Sequence, residues 1–129
     1  MHLSRPIEPI RLFVDEPLDG PTNMAIDACL LEEVNDGAPG VLRLYRWSPP
    51  TLSLGYFQPY DDPARNDPAL AQLPVVRRTT GGGAIVHADE LTYSLTLPIH
   101  HPLVGDKVAA LYDWMHDRLA DAVISLGAP

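Results

Sequence analysis

The feature that most constrains this chain is a run of three glycines, Gly81–Gly83, between two stretches that are typical of β-strands. Val75 and Val76 begin the first stretch, and residues 91–97 (LTYSLTL) alternate polar and apolar residues with the period of two of a half-buried strand. Because glycine has no Cβ, such a turn can adopt positive φ and bring main-chain N–H groups against a ligand. We therefore predict a strand-turn-strand hairpin over residues 75–98.

Two arginines, Arg77 and Arg78, lie just before the glycines. Guanidinium groups bind carboxylates and phosphates through paired hydrogen bonds, and main-chain N–H groups in a tight turn form concave anion sites. The stretch therefore predicts an anion-binding turn. On the glycines alone, however, a turn that only connects two strands is the more common structure.

The order of residues in this region resembles the signature of the lipoate–protein ligase A and octanoyltransferase family, whose catalytic domain is related to that of biotin ligases. The resemblance is carried by the sequences RRTTGGGAIVH and ELTYS, and it extends to PTNMAIDACLLEEV and SPPTLSLGYFQ earlier in the chain. It implies an α/β (α+β) fold of the class II biotin/lipoate ligase type, with a mixed, largely antiparallel sheet and helices packed on it. Residues 1–129 would then form a single catalytic domain that is incomplete at its C-terminal end.

The same resemblance implies which residues line a site for a lipoyl group or an acyl adenylate. These residues are Gly55, Gln58, Arg78, Thr80, Gly81, Gly82, Gly83 and His87. Without the resemblance, a histidine beside an apolar strand is about as often structural as ligand-binding. The family has Asp directly after this histidine, whereas here Ala88 stands there and Asp89 follows. A role for that carboxylate stays open.

The catalytic residues are not assigned. The family carries a Gly-x-Lys segment beyond its long second helix, and the nucleophilic cysteine of related octanoyltransferases also lies beyond the glycine motif. The only lysine here is Lys107, outside any such segment, and the only cysteine is Cys29, which we interpret as a small buried residue of the first helix. We expect the catalytic lysine to lie outside this sequence, in a continuation of the chain or in a separate C-terminal chain.

Two functions are therefore open. One is the attachment of a lipoyl or octanoyl group to a lysine of lipoyl carrier domains, those of the 2-oxoacid dehydrogenases or the glycine cleavage H protein. A ligase would use ATP with Mg²⁺ and free lipoate or octanoate, and a transferase would use an acyl carrier protein thioester. The GGG turn is ligase-like and ELTYS is octanoyltransferase-like. The other function is a non-catalytic module that retains the acyl or anion pocket. Neither of these two functions needs a tightly bound cofactor.

Composition narrows the classes of protein further. The chain has 129 residues, 46% of them hydrophobic, which is enough for one core. Its 9 basic and 17 acidic residues give a net charge of −8, which argues against binding nucleic acid through a basic surface. A single cysteine excludes an internal disulfide, and the adjacent His100 and His101 are interpreted as solvated loop residues, so no metal site is predicted. No apolar run is long enough to span a membrane, and we expect a cytoplasmic protein.

Periodicity predicts the remaining elements, which are strands over residues 10–14, 41–47 and 51–54 and helices over residues 22–35 and 107–126. The strands are expected to form one sheet. In the first helix the predicted N-cap is Thr22 or Asn23. Its predicted buried face consists of Ile26, Leu30 and Val34, and its predicted outward residues are Asp27, Glu32 and Glu33.

Three further predictions concern single side chains and one loop. In the strand over residues 41–47, Arg43 and Arg46 occupy the polar positions. Tyr56 and Phe57 are expected to anchor the core or a loop. Residues 61–73 are interpreted as a loop with one short helical turn at residues 68–73.

Overall fold

The computed structural model describes residues 8–61, 66–105 and 107–129. Residues 1–7 of the predicted domain and residues 62–65 of the predicted loop lie outside the described residues. The elements, in chain order, are β1 (Ile10–Val14), α1 (Gly20–Asn35), β2 (Gly40–Tyr45), β3 (Thr51–Leu54), β4 (Val75–Arg77), β5 (Ile85–His87), β6 (Thr92–Thr96) and α2 (Val108–Ser125). Neither of these two helices combines the length and the apolar character that a membrane span needs.

The strands form two mixed sheets of three strands each, so the predicted mixed α/β class is confirmed and the predicted single sheet is wrong. The first sheet has the order β1-β2-β6, and the second has the order β4-β3-β5. In each sheet the central strand has one parallel and one antiparallel neighbour. Parallel and antiparallel pairs are therefore equally frequent among the described strands.

The predicted hairpin around the glycines is also wrong, because β4 and β5 do not pair with each other. Both strands pair with β3, one on each side. The glycine turn instead crosses the end of β3, where a Cβ built on Gly55 would lie only 1.9 Å from the carbonyl oxygen of Gly82. The turn and the end of β3 therefore touch through their main chains.

Helix α1 holds the two sheets together, since it packs against β2, β6 and β4. The buried face predicted for it is confirmed: Leu30 and Val34 form a core cluster with Val41, and Ile26 packs against that cluster. At its first residue, a Cβ on Gly20 would lie 2.8–2.9 Å from the side chains of Thr51 and Val76. A larger residue at Gly20 would push the helix away from the second sheet.

The N-cap of α1 is Asp19, not the predicted Thr22 or Asn23. Its carboxylate Oδ1 accepts a hydrogen bond of 2.8 Å from the main-chain N–H of Thr22. Hydrogen bonding by Thr22, first through its side chain and then through this N–H, lowers the pKa of the Asp19 carboxyl. The helix begins earlier than predicted because proline is tolerated in the first turn, where its missing N–H would have no partner.

A buried arginine, Arg43, lies at the centre of the first sheet, and the prediction that its partner Asp27 faces outward is wrong. Its side chain has no exposed surface. Its Nε donates to Asp15 at 2.6 Å, its Nη1 donates to Asp27 at 3.1 Å, and its Nη2 donates to the side-chain oxygen of Asn23 at 2.8 Å. The guanidinium also lies 3.9 Å from the centre of the Tyr45 ring. Because side chains alternate along a strand, Arg43 shares the covered face with its neighbours two residues away.

Four other side chains differ from their predicted environments. Cys29 is exposed, and so are Tyr56 and Phe57, which therefore do not anchor the core. His101 is buried, and its Nδ1 accepts a hydrogen bond of 3.2 Å from the N–H of Leu103. These positions depend on which face of a helix or loop the rest of the chain covers, which local periodicity does not report.

Helix α2 confirms the predicted position of the second helix, but most of its apolar stripe is uncovered in the described part of the chain. Met115 is its one buried residue, whereas Val108, Tyr112 and Val123 are more than half exposed. Its inner residues form one wall of a cavity, described next.

Candidate functional site

A cavity of about 580 Å³ lies between α1, β6, α2 and the second sheet. Ligand sites for small molecules are commonly apolar clefts of about 300–1,000 Å³ with a few polar groups. The apolar lining comes from α1, β5, β6, α2 and the loop before α2, namely Met24, Leu31, Ile85, Leu95, Leu97, Val104, Val108, Leu111 and Met115. The polar lining includes Trp47, Arg78, Thr80, His87 and Thr92.

The structure places three of the predicted site residues, Arg78, Thr80 and His87, on the wall of this cavity. The other five lie in two touching loops beside it, the glycine turn and the loop after β3. Their contact is the close approach of Gly82 to Gly55. All eight predicted residues therefore belong to one region of the fold, although their roles toward a ligand stay predictions.

Arg78 fastens the glycine turn to β3. Its Nη1 donates to the carbonyl and the hydroxyl of Ser53, at 3.2 and 2.6 Å, and its Nη2 donates to the carbonyls of Gly81 and Gly83, at 2.9 and 2.8 Å. These four bonds use all four terminal N–H groups of the guanidinium and leave only the Nε–H. Burial lowers the pKa of Arg78, but a guanidinium stays charged in proteins. The carbonyls of the turn therefore face a cation.

The main-chain N–H groups of the turn are left unbonded by this arrangement. The carbonyl of Thr80 accepts a hydrogen bond of 2.9 Å from Tyr56, and Gly82 has φ +91°, which favours glycine. Among the described residues, however, no partner accepts a hydrogen bond from the N–H groups of Gly81, Gly82 and Gly83. A turn with its carbonyls held by a cation and its N–H groups free has the polarity of an anion site.

Arg77 holds the loop after β3 in the way that Arg78 holds the glycine turn. Its Nη1 donates to the carbonyls of Gly55, Tyr56 and Gln58. Gln58 closes this loop on itself, because its side-chain Oε1 accepts a hydrogen bond of 3.1 Å from the N–H of Gly55. The adjacent arginines thus brace two adjacent loops.

His87 is 4% exposed, and both of its ring nitrogens have hydrogen-bond partners. Its ring stacks on Trp47 with centroids 3.9 Å apart and planes 8° apart. Its Nε2 lies 2.7 Å from the hydroxyl of Ser53, and its Nδ1 lies 3.1 Å from Oε1 of Glu90. The carboxylate that reaches His87 is therefore Glu90, three residues later.

Sequence reasoning missed Ser53, Glu90, Thr92 and Trp47. Thr92 donates to Oε2 of Glu90 at 2.8 Å, and Trp47 Nε1 donates to Thr92 at 2.9 Å. The spacing of three residues between His87 and Glu90 was a usable signal, whereas the bond to Ser53 joins residues far apart in the chain. Only the pairing of β5 with β3 brings them together.

A second polar group lies on the cavity wall at Asp27. Its carboxylate accepts hydrogen bonds from the hydroxyls of Tyr45 and Ser94, at 2.9 and 2.8 Å, besides the bond from Arg43. Burial, followed by the negative charge of Asp27, raises the pKa of Tyr45. This carboxylate is paired with a cation and fully hydrogen-bonded, so the wall is polar here without carrying a free charge. Within residues 8–61, 66–105 and 107–129 no group of three or more His, Cys, Asp or Glu side chains is placed to hold a metal ion.

The environment of His87 predicts how stability depends on pH. Burial lowers the pKa of His87 below 6.5, and Arg78 acts in the same direction, while Glu90 partly opposes them. The unfolded chain therefore takes up a proton at a higher pH than the folded chain does, so the free energy of unfolding falls as the pH drops below about 6.5. We expect urea unfolding midpoints to be lower at pH 5.5 than at pH 7.5, with a smaller difference in His87→Gln. An equal pH dependence in both proteins would contradict this.

The comparisons with known proteins agree with this geometry. Residues 19–129 match the family described as the lipoyl protein ligase A/B catalytic domain. The chain is 42% identical over 126 residues to octanoyltransferase LipM of Moorella thermoacetica, a match that covers 96% of this chain and 46% of the relative. It is 46% identical over 104 residues to octanoyltransferase LipM of Carboxydothermus hydrogenoformans, covering 78% of this chain and 38% of the relative.

Among solved structures, LipL1 of P. falciparum in complex with lipoate matches this chain with a TM-score of 0.50 and 19% sequence identity. The match covers 67% of this chain and 30% of the LipL1 chain, and at this identity it shows a likeness of fold alone. The chain spans less than half the length of the two curated relatives. The match to the family covers most of the chain and includes every helix and strand except β1, together with the glycine turn. This chain belongs to the lipoyl protein ligase A/B catalytic domain family.

Proposed function

We propose that this chain is the acyl-binding part of an octanoyltransferase-type protein. It holds an octanoyl or lipoyl group in the cavity and presents the acyl carbonyl to the glycine turn, for transfer to a lysine of a lipoyl carrier domain. The observation that carries the proposal is an apolar cavity whose wall includes Arg78, Thr80 and His87, next to a glycine turn whose N–H groups have no acceptor among the described residues.

The dimensions of the cavity fit an eight-carbon chain. Its floor follows β6 from Thr92, beside Trp47 and Glu90, to Leu97. At about 3.3 Å per residue, this stretch is roughly 16 Å long. An eight-carbon acyl chain has seven C–C bonds of about 1.5 Å, so it is shorter than about 11 Å. The polar groups then receive the carbonyl end and the apolar groups the hydrocarbon.

The charge distribution suits a carbonyl that becomes negative during acyl transfer. Arg78 lies on the cavity wall, and the glycine turn that it holds by the carbonyls of Gly81 and Gly83 could supply main-chain N–H donors to a ligand there. Donors fixed before the reaction stabilise a developing oxyanion more than mobile ones do. The same donors suit the phosphate of an acyl adenylate, so the two chemistries differ in the acyl donor rather than in this site.

We propose a carrier-protein thioester as the acyl donor, since the curated relatives are named octanoyltransferases. A ligase reaction with ATP and Mg²⁺ is the alternative chemistry. A second candidate function is an acyl-binding module without transfer activity, because the cavity can hold an acyl group without any catalytic residue. The recipient carrier domain, of a 2-oxoacid dehydrogenase or the glycine cleavage H protein, is part of the proposal.

Fluorescence of Trp47 tests acyl binding. The chain has two tryptophans, so Trp114→Phe leaves Trp47, which lines the cavity, as the one reporter. We expect octanoate to change this emission and saturate, and butyrate to bind more weakly, because each buried CH₂ contributes about 0.8 kcal/mol. Emission that is unchanged by octanoate at millimolar concentration would contradict acyl binding.

A pair of leucine variants tests where the acyl chain binds. Leu111 lines the cavity, whereas Leu126 is 87% exposed at the end of α2. We expect Leu111→Phe to weaken octanoate binding about tenfold by filling the cavity, and Leu126→Phe to leave it unchanged. Equal affinities in the two variants would place the acyl chain elsewhere.

Arg78→Ala is expected to weaken binding of octanoyl carrier protein by about tenfold or more, because a charge-assisted contact contributes about 1.5–3 kcal/mol. Arg78→Lys should restore little of the lost affinity, since an ammonium cannot hold Ser53 and both glycine carbonyls at once. Arg118→Ala, on the exposed side of α2, is the matched control. Calorimetry that gives equal affinities for Arg78→Ala and the parent would restrict Arg78 to a structural role.

Mass spectrometry of an apo lipoyl domain tests whether this chain transfers an acyl group and from which donor. We expect no acylation by this chain alone at a useful rate, because no catalytic lysine or cysteine is assigned within it. Acylation from octanoyl carrier protein without ATP would show a transferase, and acylation from octanoate or lipoate only with ATP would show a ligase. Either result would contradict the acyl-binding module.

A further inference from the structure

A continuous chain of side-chain hydrogen bonds connects Arg78 with Trp47 through His87. Its five links are Arg78 Nη1 to Ser53 Oγ at 2.6 Å, Ser53 Oγ to His87 Nε2 at 2.7 Å, His87 Nδ1 to Glu90 Oε1 at 3.1 Å, Glu90 Oε2 to Thr92 Oγ1 at 2.8 Å, and Thr92 Oγ1 to Trp47 Nε1 at 2.9 Å. It crosses from β4 through β3 and β5 to β6 and thus joins the two sheets.

The groups at the two ends of this hydrogen-bonded network, Arg78 and Trp47, determine which atom donates in the bonds next to them. A guanidinium and an indole N–H only donate. Ser53 therefore accepts from Arg78, and its one hydrogen is left for Nε2 of His87. From the other end, Thr92 accepts from Trp47 and donates its hydrogen to Glu90.

One tautomer of the neutral His87 ring satisfies the hydrogen bonds on both of its sides, to Ser53 and to Glu90. The Glu90 carboxylate can only accept, so the ring proton of a neutral imidazole lies on Nδ1, and Nε2 is left to accept the hydrogen of Ser53. A neutral ring with its proton on Nε2 would instead set the lone pair of Nδ1 against the Glu90 carboxylate. The stacked Trp47 ring leaves His87 no room to rotate away from these partners.

We propose that Ser53, Glu90 and Thr92 are positioning residues that hold His87 as the neutral Nδ1–H tautomer and hold Arg78 against the glycine turn. Ser53 is the link between the two, because it has no exposed surface and contacts both. A substitution at Glu90 or Thr92 is therefore expected to alter the position of the glycine turn through His87. The consequence for acyl binding rests on the proposed function, whereas the tautomer does not.

Nitrogen NMR of ring-labelled histidine tests the tautomer in the parent protein without ligand. We expect the His87 signals of an Nδ1–H imidazole at pH 7.5. Thr92→Val removes the hydroxyl at nearly constant volume, and Thr92→Ser retains it, so the two form a matched pair. We expect a mixture of tautomers in Thr92→Val and the parent spectrum in Thr92→Ser, an outcome that a packing role alone would not produce.

Two further variants test the links on either side of His87. Glu90→Gln keeps the shape but removes the charge, so the pKa of His87 should fall further, because Glu90 is the group that raises it. Ser53→Ala should admit the Nε2–H tautomer and weaken octanoate binding at least fivefold. Glu32→Gln and Ser125→Ala, both at exposed positions on the helices, are the controls.

The outcomes separate this inference from the proposed function. An Nε2–H tautomer in the parent, or an unchanged tautomer in Thr92→Val and Ser53→Ala, would overturn the positioning role even if octanoate binds. A parent that has the Nδ1–H tautomer but does not bind octanoate would refute the proposed ligand and leave the positioning role standing.

Discussion

Replacing Arg43 by methionine is expected to lower the free energy of unfolding by about 3–5 kcal/mol, which is a large part of the stability of a domain of this size. The change removes the cation that Asp15 and Asp27 share and leaves the side-chain oxygen of Asn23 without the donor Arg43. The cost comes mainly from the carboxylates that stay behind, because a buried charge without a partner is poorly solvated. Urea unfolding followed by circular dichroism measures it.

Three comparison variants make this prediction specific. Arg46→Met, at an exposed position of the same segment, should change stability by less than about 0.5 kcal/mol. The loss of stability in Arg43→Lys should fall between the losses in Arg43→Met and Arg46→Met, because one ammonium cannot reach three partners. Adding Asp27→Asn to Arg43→Met should restore part of the loss, since it removes a carboxylate that no longer has a counter-ion. Equal losses for Arg43→Met and Arg46→Met would show that the buried cation contributes little.

Replacing Gly55 by alanine is expected to cost at least about 1–3 kcal/mol and to abolish octanoate binding, because the new Cβ would overlap the carbonyl oxygen of Gly82. That oxygen belongs to the main chain and cannot rotate away. The glycine turn must therefore move off β3, which breaks the bonds from Arg78 to the turn. Urea unfolding and the Trp47 fluorescence titration measure the two effects.

The glycines of the turn itself supply a graded series of controls. A Cβ on Gly81 or Gly83 would meet no atom within 4 Å, and neither residue has positive φ, so alanine there should change stability by less than about 0.5 kcal/mol. Gly82→Ala should cost about 1–2 kcal/mol, because φ is +91° at that position. If Gly55→Ala is no more destabilising than Gly83→Ala, the close approach of the two loops is not a constraint on the fold.

The sequence by itself determined those features that depend on neighbouring residues. The strands over residues 10–14 and 51–54 and the buried face of α1 follow from periods of two and of about 3.6 residues, and the structure confirms them. The glycine motif likewise identified the family, which the comparisons show. Local chemistry also made Arg78 a reasonable candidate for the site, since a guanidinium beside glycine N–H groups suits an anion.

Only the tertiary structure decided which faces are covered and which distant groups meet. Alternation along β2 makes Arg43 a polar position but does not report that α1 supplies Asp27 and Asn23 to bury it. A glycine turn permits a hairpin, but the stronger constraint is that β3 pairs with both flanking strands, which brings Ser53 to His87. Such pairings are set by the burial of the whole sheet and by long-range hydrogen bonds, and no short window of sequence contains either partner's surroundings.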